Sequence, residues 1–266
     1  MPGGGAVGPH GRRAARDLRP GTSALYGEAG RGRIGDIRMA RLKRADRERQ
    51  ILDGAISFFS EHGFGGQTRE LARQLGVTQP LLYLYFPSKQ ALIERVYQEL
   101  FVTRWRPEWE ALVADRGLPL RMRMTRFYAE FQETIFSREW VRMFVHAGLE
   151  GLDYNRRTLE RLEVRIFRRV CIELRLAAGY PEPAPDTITA AELEYVWQLH
   201  GRLFYWNMRR HVYDVPDRVG VEEAIQTMMD DLVGGSPLVL ARLLGPPAQV
   251  AAPQAKPRRR TPATAG

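Results

Sequence analysis

Residues 68–89 read TRELARQLGVTQPLLYLYFPSK, and this stretch decides the fold. Leu71 and Leu75 lie four apart, as on one face of a short helix. Ala72 is small, where that helix must approach the next one closely. Gly76 follows the apolar pair at the point where a helix end favours a residue that tolerates positive φ. Thr78 is a good N-cap, and Pro80 suits the first turn of a second helix because no backbone donor is needed there. Leu82 returns an apolar side chain to the same small core. Spacings of four and six residues between Ala72, Gly76 and Leu82 are those of a helix-turn-helix, which lays its second helix in the DNA major groove.

Upstream, Ile51, Leu52, Ala55, Ile56, Phe58 and Phe59 recur at helical spacing over residues 46–61, and Gly63 reads as the stop. Phe64 caps the small core, and Gly65-Gly66 links to the motif. Downstream, Ser88 is an N-cap for a long helix expected over residues 89–106. Helical patterning continues over 118–136, 138–149 and 153–178. Residues 179–185, GYPEPAP, form a break. Two closing helices are expected over 190–211 and 221–232, with a last short one after Ser236-Pro237 that ends at Gly245. The fold class is therefore all-α: an N-terminal three-helix helix-turn-helix DNA-binding domain, then a larger helical domain, for which the family resemblance given below implies a regulatory and dimerisation role. The expected divisions are an extension at 1–37, the basic arm and DNA-binding domain at 38–97, the helical domain at 98–245 and a tail at 246–266.

The formal net charge of +9 resembles a nucleic-acid signal, but its distribution does not. Residues 1–44 carry ten Arg or Lys against three acids, the last twenty-one residues carry four more, and 45–245 is left at −2. The globular part is close to neutral, so the motif has to carry the DNA argument. Arg38, Arg41, Lys43, Arg44, Arg47 and Arg49 form a basic arm, read either as a solvated tail or as a phosphate or minor-groove contact. The flanks 1–37 and 246–266 are rich in Gly, Pro, Ala and Arg and are expected to be disordered. Met39 opens a sequence that reads as an ordinary protein start, which makes 1–38 a candidate upstream extension.

Hydrophobic content of 44% allows a substantial core, and charges interrupt every apolar run before it reaches a membrane span. The single cysteine, Cys171, excludes an intrachain disulfide framework and favours a reducing, cytoplasmic setting; it reads as an inert buried thiol. The histidines at 62, 146, 200 and 211 form no i, i+4 pair, and no P-loop, nucleophile elbow or zinc motif appears. No cofactor, metal or catalytic residue is expected.

The block from 44 to 97 resembles the DNA-binding domain of the TetR family of bacterial regulators. ILDGAISFFSEHGF and TRELARQLGVTQPLLYLYFPSKQALIERVY carry the likeness, above all the LYxYFxSKxxL pattern from Leu82 to Leu92. ELEYVWQLHGRLFYWNMRRHVY also looks like the penultimate helix of many members. The resemblance implies an all-α homodimer with a small DNA-binding head and a larger regulatory body. It puts Gln79, Pro80 and Tyr83 at base-contacting positions and Thr78, Tyr85 and Lys89 at phosphate-contacting ones, with Thr68 and Arg44 as further DNA contacts. Gln67 departs from the hydroxyl residue the family often has there. Thr68 then takes over as N-cap, or the cap is weak. Leu82 and Phe86 are expected to face the core and Tyr83 to face outward, with Tyr85 open between the two.

The implied function is a sequence-specific transcriptional regulator, a ligand-responsive repressor that binds a near-palindromic operator as a homodimer, with double-stranded DNA and a small-molecule effector as partners. A constitutive DNA-binding or partner-recruiting protein is the alternative, with a helical small-molecule enzyme or carrier behind it. The stripes Val196, Leu199, Leu203, Trp206 and Ile225, Met228, Met229, Leu232 suit a four-helix dimer interface, or packing within one subunit. Trp105, Phe127, Phe131, Trp140, Phe144, His146, His200 and Phe204 are the candidate effector-pocket residues, against the alternative that they fill the core.

Overall fold

The computed structural model describes residues 44–247, so the expectations for the two flanks, the start at Met39 and the arm from Arg38 to Lys43 lie outside the described residues. The chain divides into compact units between Arg47 and Glu48, within the opening turns of the first helix. Of the first unit only residues 44–47 are described, and the helical fold belongs to the unit from Glu48 onward. Every regular element among the described residues is helical.

The head is built from α1 (Arg44–His62), α2 (Thr68–Gln74), α3 (Gln79–Tyr85) and the start of α4 (Lys89–Tyr97). Ile51, Leu52, Ala55, Phe58, Phe59, Phe64, Leu71, Ala72, Leu82 and Phe86 are all buried and form its core. Gly76 sits at φ +65°. There its N–H donates to the Arg73 carbonyl at 3.2 Å, and Val77 N–H donates to the Ala72 carbonyl at 3.0 Å, which closes α2 and turns the chain into α3. Thr78 Oγ1 accepts from Leu81 N–H at 3.3 Å, and Ser88 Oγ accepts from Ala91 N–H at 3.0 Å, so both expected caps are formed. The α2 cap is the weaker alternative: Gln67 occupies the cap position without a side-chain hydrogen bond, and Thr68 is the first helical residue.

The helix expected over 89–106 is shorter. α4 runs into a π turn at Gln98–Val102, where Thr103 N–H reaches back five residues to the Gln98 carbonyl at 2.9 Å, and Pro107 ends any continuation. A helix that the periodicity does not reveal, α5 (Glu108–Ala114), comes next. Then come α6 (Leu120–Ile135), α7 (Arg138–Leu149) and α8, which consists of Tyr154–Leu162, a second π turn at Glu163–Phe167 and Arg168–Ala177. α9 (Ala190–His211) opens with a capping box between Thr189 and Glu192.

The last helix, α10 (Val221–Leu244), does not break at Ser236-Pro237 as expected. Proline lacks the N–H that would bond the Val233 carbonyl. Ser236 Oγ donates to that carbonyl instead, at 3.2 Å, and Pro237 itself is exposed. α10 packs along α6 and against α8 and α9. As a result Val196, Leu199, Leu203, Trp206, Ile225, Met228, Met229 and Leu232 are all buried inside one chain. The two stripes therefore form intrachain core, which corrects their reading as a dimer interface. Cys171 is 1% exposed in α8, and burial pushes its thiol up to about 12.

Head and body meet along α1, α4, α7 and α8. Arg142 Nε donates to the Ser60 carbonyl at 2.8 Å, and Arg138 pairs with Glu61, which holds that carboxyl below its ordinary range. Glu150 Oε1 accepts from Phe64 N–H at 2.9 Å. Tyr154 stacks on Tyr97 with ring centres 4.4 Å apart. Arg49 joins Glu99 at 2.6 Å; burial alone would raise the Glu99 carboxyl, but Arg49 and Arg95 together hold it low.

Gly63 makes this corner possible. Its φ is +69°, and a Cβ there would lie 2.8 Å from Glu150 Oε1 and 2.9 Å from His146 Nδ1. We expect Gly63→Ala to cost about 1–2 kcal/mol, from the left-handed backbone together with displacement of Glu150. Urea titration of the variant checks this; an unchanged midpoint would contradict it.

Candidate nucleic-acid interface and effector cavity

α3 is amphipathic in a way that sorts its residues. Leu82 and Phe86 are buried, Tyr83 and Tyr85 half-buried, and Pro80 and Thr78 exposed. Lys89 is half-buried at the start of α4, and Arg44, the first residue of α1, is exposed. Leu84 is 67% exposed, an apolar side chain in water. It is not among the contacts expected from the sequence. A signal for it exists, because Leu84 lies four residues after Pro80 and so shares its face of the helix.

Thr68 is placed differently from a direct contact. It is buried at the first turn of α2, and its hydroxyl is the hub of the motif. Gln79 Nε2 donates to Thr68 Oγ1 at 3.0 Å, and Thr68 Oγ1 and Tyr83 Oη share a hydrogen bond of 2.8 Å. Thr68 thus fixes two side chains of α3 from behind rather than reaching outward. Gln79 and Tyr83 are held on one side of the helix, and the Gln79 carbonyl oxygen stays free to accept.

Inside the body lies a cavity of about 230 Å³. Trp105, Phe131, Trp140, Phe144, His200 and Phe204 line it together with Phe101, Thr158, Leu159, Arg161, Leu162 and Trp197. Two of the expected pocket residues do not reach it. Phe127 is wholly buried between Trp109, Tyr128 and Phe131 and belongs to the core. His146 lies near the end of α7 and faces the Gly63 corner of the head. Two lining residues not among the expected ones are Phe101, inside the first π turn, and Arg161, two residues before the second. Burial among aromatic rings pushes His200 down to about 4, so it is neutral at pH 7. Among the described residues no His, Cys, Asp or Glu cluster could hold a metal, and no helix is long and apolar enough to cross a membrane.

Such a molecule is a helix-turn-helix head carried on a helical body with an internal cavity. Residues 51–96 match the model of the bacterial regulatory proteins of the tetR family. The tetracycline repressor protein class D of Escherichia coli is 28% identical over 97 residues, which cover 34% of this chain and 43% of the repressor. The nucleoid occlusion factor SlmA of Haemophilus ducreyi is 41% identical over 70 residues, 24% of this chain and 35% of that protein. This chain therefore spans less than half the length of the curated relatives it matches. The solved structure of a TetR-family protein from Mesorhizobium loti MAFF303099 covers 74% of this chain and 98% of its own, at 15% identity and a TM-score of 0.50, a likeness of fold. Residues 51–96 are therefore similar to the DNA-binding head of the tetR family, and the described chain shares the fold of that structure.

Proposed function

We propose that this chain is a sequence-specific DNA-binding transcriptional regulator, a repressor released from its operator by a small molecule and acting as a homodimer on a near-palindromic site. One observation carries the reading. A single continuous element joins the two ends of the molecule: Lys89 stands beside the recognition helix, and Phe101, about 18 Å further along α4 and its π turn, is a wall of the cavity. A ligand that moves Phe101 acts on the segment that holds α3, and shifts the population between head positions.

In this reading Gln79, Pro80, Tyr83 and Leu84 face base edges. Gln79 offers an acceptor to a base amino group, and Pro80 and Leu84 offer apolar surface to thymine methyls. Thr78, Tyr85, Lys89 and Arg44 serve phosphates. Two heads are needed to read enough base pairs, and two-fold symmetry then sets the operator's palindrome. With the apolar stripes of α9 and α10 turned inward, the dimer surface falls to their outer faces, where Tyr205 and Leu238 are exposed.

Selection from genomic DNA, followed by footprinting, tests the proposal. A palindromic footprint lost on adding a small molecule is the expected result. Binding that depends on salt but not on sequence, or a monomeric mass at micromolar concentration, would overturn it. Two substitutions separate the contact classes. Lys89→Ala is expected to weaken binding to all sequences and lower the salt slope by about one charge. Gln79→Ala is expected to flatten preference at one position of each half-site, at about 1–3 kcal/mol of discrimination. A selected motif unchanged by Gln79→Ala would remove its base-reading role.

A further inference from the structure

Three side chains that line the cavity carry a buried polar atom with no partner among the described residues: Trp105 Nε1, Trp140 Nε1 and His200 Nδ1. Trp140 is 4% exposed and His200 6%, so bulk water does not satisfy them. Arg161 adds a charge. The other arginines of α8, namely Arg156, Arg157, Arg165, Arg168, Arg169 and Arg175, each pair with a carboxylate. Arg161 donates Nη1 to the Phe101 carbonyl at 3.2 Å instead, and among the described residues no carboxylate lines the cavity beside it. The rest of the wall is aromatic or aliphatic apart from Gly201 and Thr158, whose hydroxyl donates to the Tyr154 carbonyl at 2.8 Å.

We propose that the cavity takes a one- or two-ring aromatic monocarboxylate, its carboxylate on Arg161, its ring among Trp140, Phe144 and Phe204. The proposal rests on the effector reading above. A single unneutralised guanidinium matches one negative charge. A phosphate, with nearly two charges, would lack a second cation, because His200 is neutral. A cationic ligand would meet aromatic faces but also the Arg161 charge, with no carboxylate to balance it. The volume lies below the usual range of drug-sized pockets and suits one or two fused rings. The Arg161–Phe101 bond gives the ligand a lever: a carboxylate that draws the guanidinium away releases the carbonyl of a residue in the π turn of α4.

Three probes of one shape test this on the full chain: naphthalene-2-carboxylate, naphthalene-2-carboxamide and 2-(aminomethyl)naphthalene. Quenching of Trp105, Trp140 and Trp197 fluorescence reports binding. The carboxylate is expected to bind at least about tenfold tighter than the amide, and the ammonium to bind most weakly. Arg161→Gln should erase the preference for acid over amide and leave the amide's affinity within about twofold, whereas Arg161→Lys should keep the preference. Equal affinities for acid and amide, tighter binding of the ammonium, a preference that survives in a folded Arg161→Gln protein, or no binding of any probe at millimolar concentration would each overturn the proposal. Operator release is read separately. Carboxylate-selective binding without release would sink the effector reading and leave this inference standing; release by a bound amine or amide, with no response to the acid, would do the reverse.

Discussion

Thr68→Val is expected to weaken operator binding about tenfold per head, and up to about a hundredfold for a dimer that engages two half-sites. Valine keeps the shape of threonine and removes the hydroxyl that Gln79 Nε2 and Tyr83 Oη both use. The residue is buried at the first turn of α2. Its effect comes through two α3 side chains that regain rotamer freedom and must be ordered again on binding. A lost hydrogen bond of this kind is worth about 1–1.5 kcal/mol, which gives the tenfold figure. Fluorescence anisotropy with operator and with unrelated DNA checks it. The loss should be confined to the operator, and Thr68→Ser should restore most of it. An equal loss on both DNAs would mean that Thr68 acts on phosphate instead.

Glu173→Ala is expected to cost about 3–5 kcal/mol of stability, a large share of the total for a chain of this kind. Glu173 is 2% exposed and faces three arginines: Arg123 at 2.9 Å, Arg169 at 2.9 Å and Arg116 at 3.2 Å. Arg116 and Arg169 have water to turn to. Arg123 is 5% exposed and has none, so without Glu173 it keeps a charge in the core with only the Val113 carbonyl beside it. Urea denaturation measures the loss as a lower midpoint at similar slope. The double variant Glu173→Leu with Arg123→Met should recover most of the deficit, because an apolar pair carries no desolvation cost. A double variant as unstable as the single one would show that the cluster acts by shape and not by charge.

The head is legible in the sequence because its signals are local. Gly76, Thr78 with Pro80, and Ser88 each fix a helix end through atoms within a few residues. The body is less legible, for three physical reasons. Periodicity finds a buried face but not what covers it, so Leu203 and Met229 read as dimer interface although the single chain already buries them. Helix-breaking rules assume that nothing replaces the missing bond, and at Pro237 the Ser236 hydroxyl replaces it. An aromatic side chain looks the same in sequence whether it fills the core, as Phe127 does, or bounds a space, as Phe131 does four residues on. Arg161 is hidden among neighbours of the same type. What sets it apart is the missing acidic partner, a property of three-dimensional placement. Thr68 stands out by its type and position, but its bonds to Gln79 and Tyr83 are seen only in the folded chain.

The burial of Cys171 has a practical corollary. The chain contains one thiol, 1% exposed and held protonated far above neutral pH. Maleimide and methanethiosulfonate reagents attack thiolate, so the native sequence is expected to react with them only slowly. A cysteine placed at an exposed site such as Arg69 would then be the preferred attachment point for a spin label. In a two-fold dimer, one such label per subunit turns head separation into a single measurable distance, with little background to subtract.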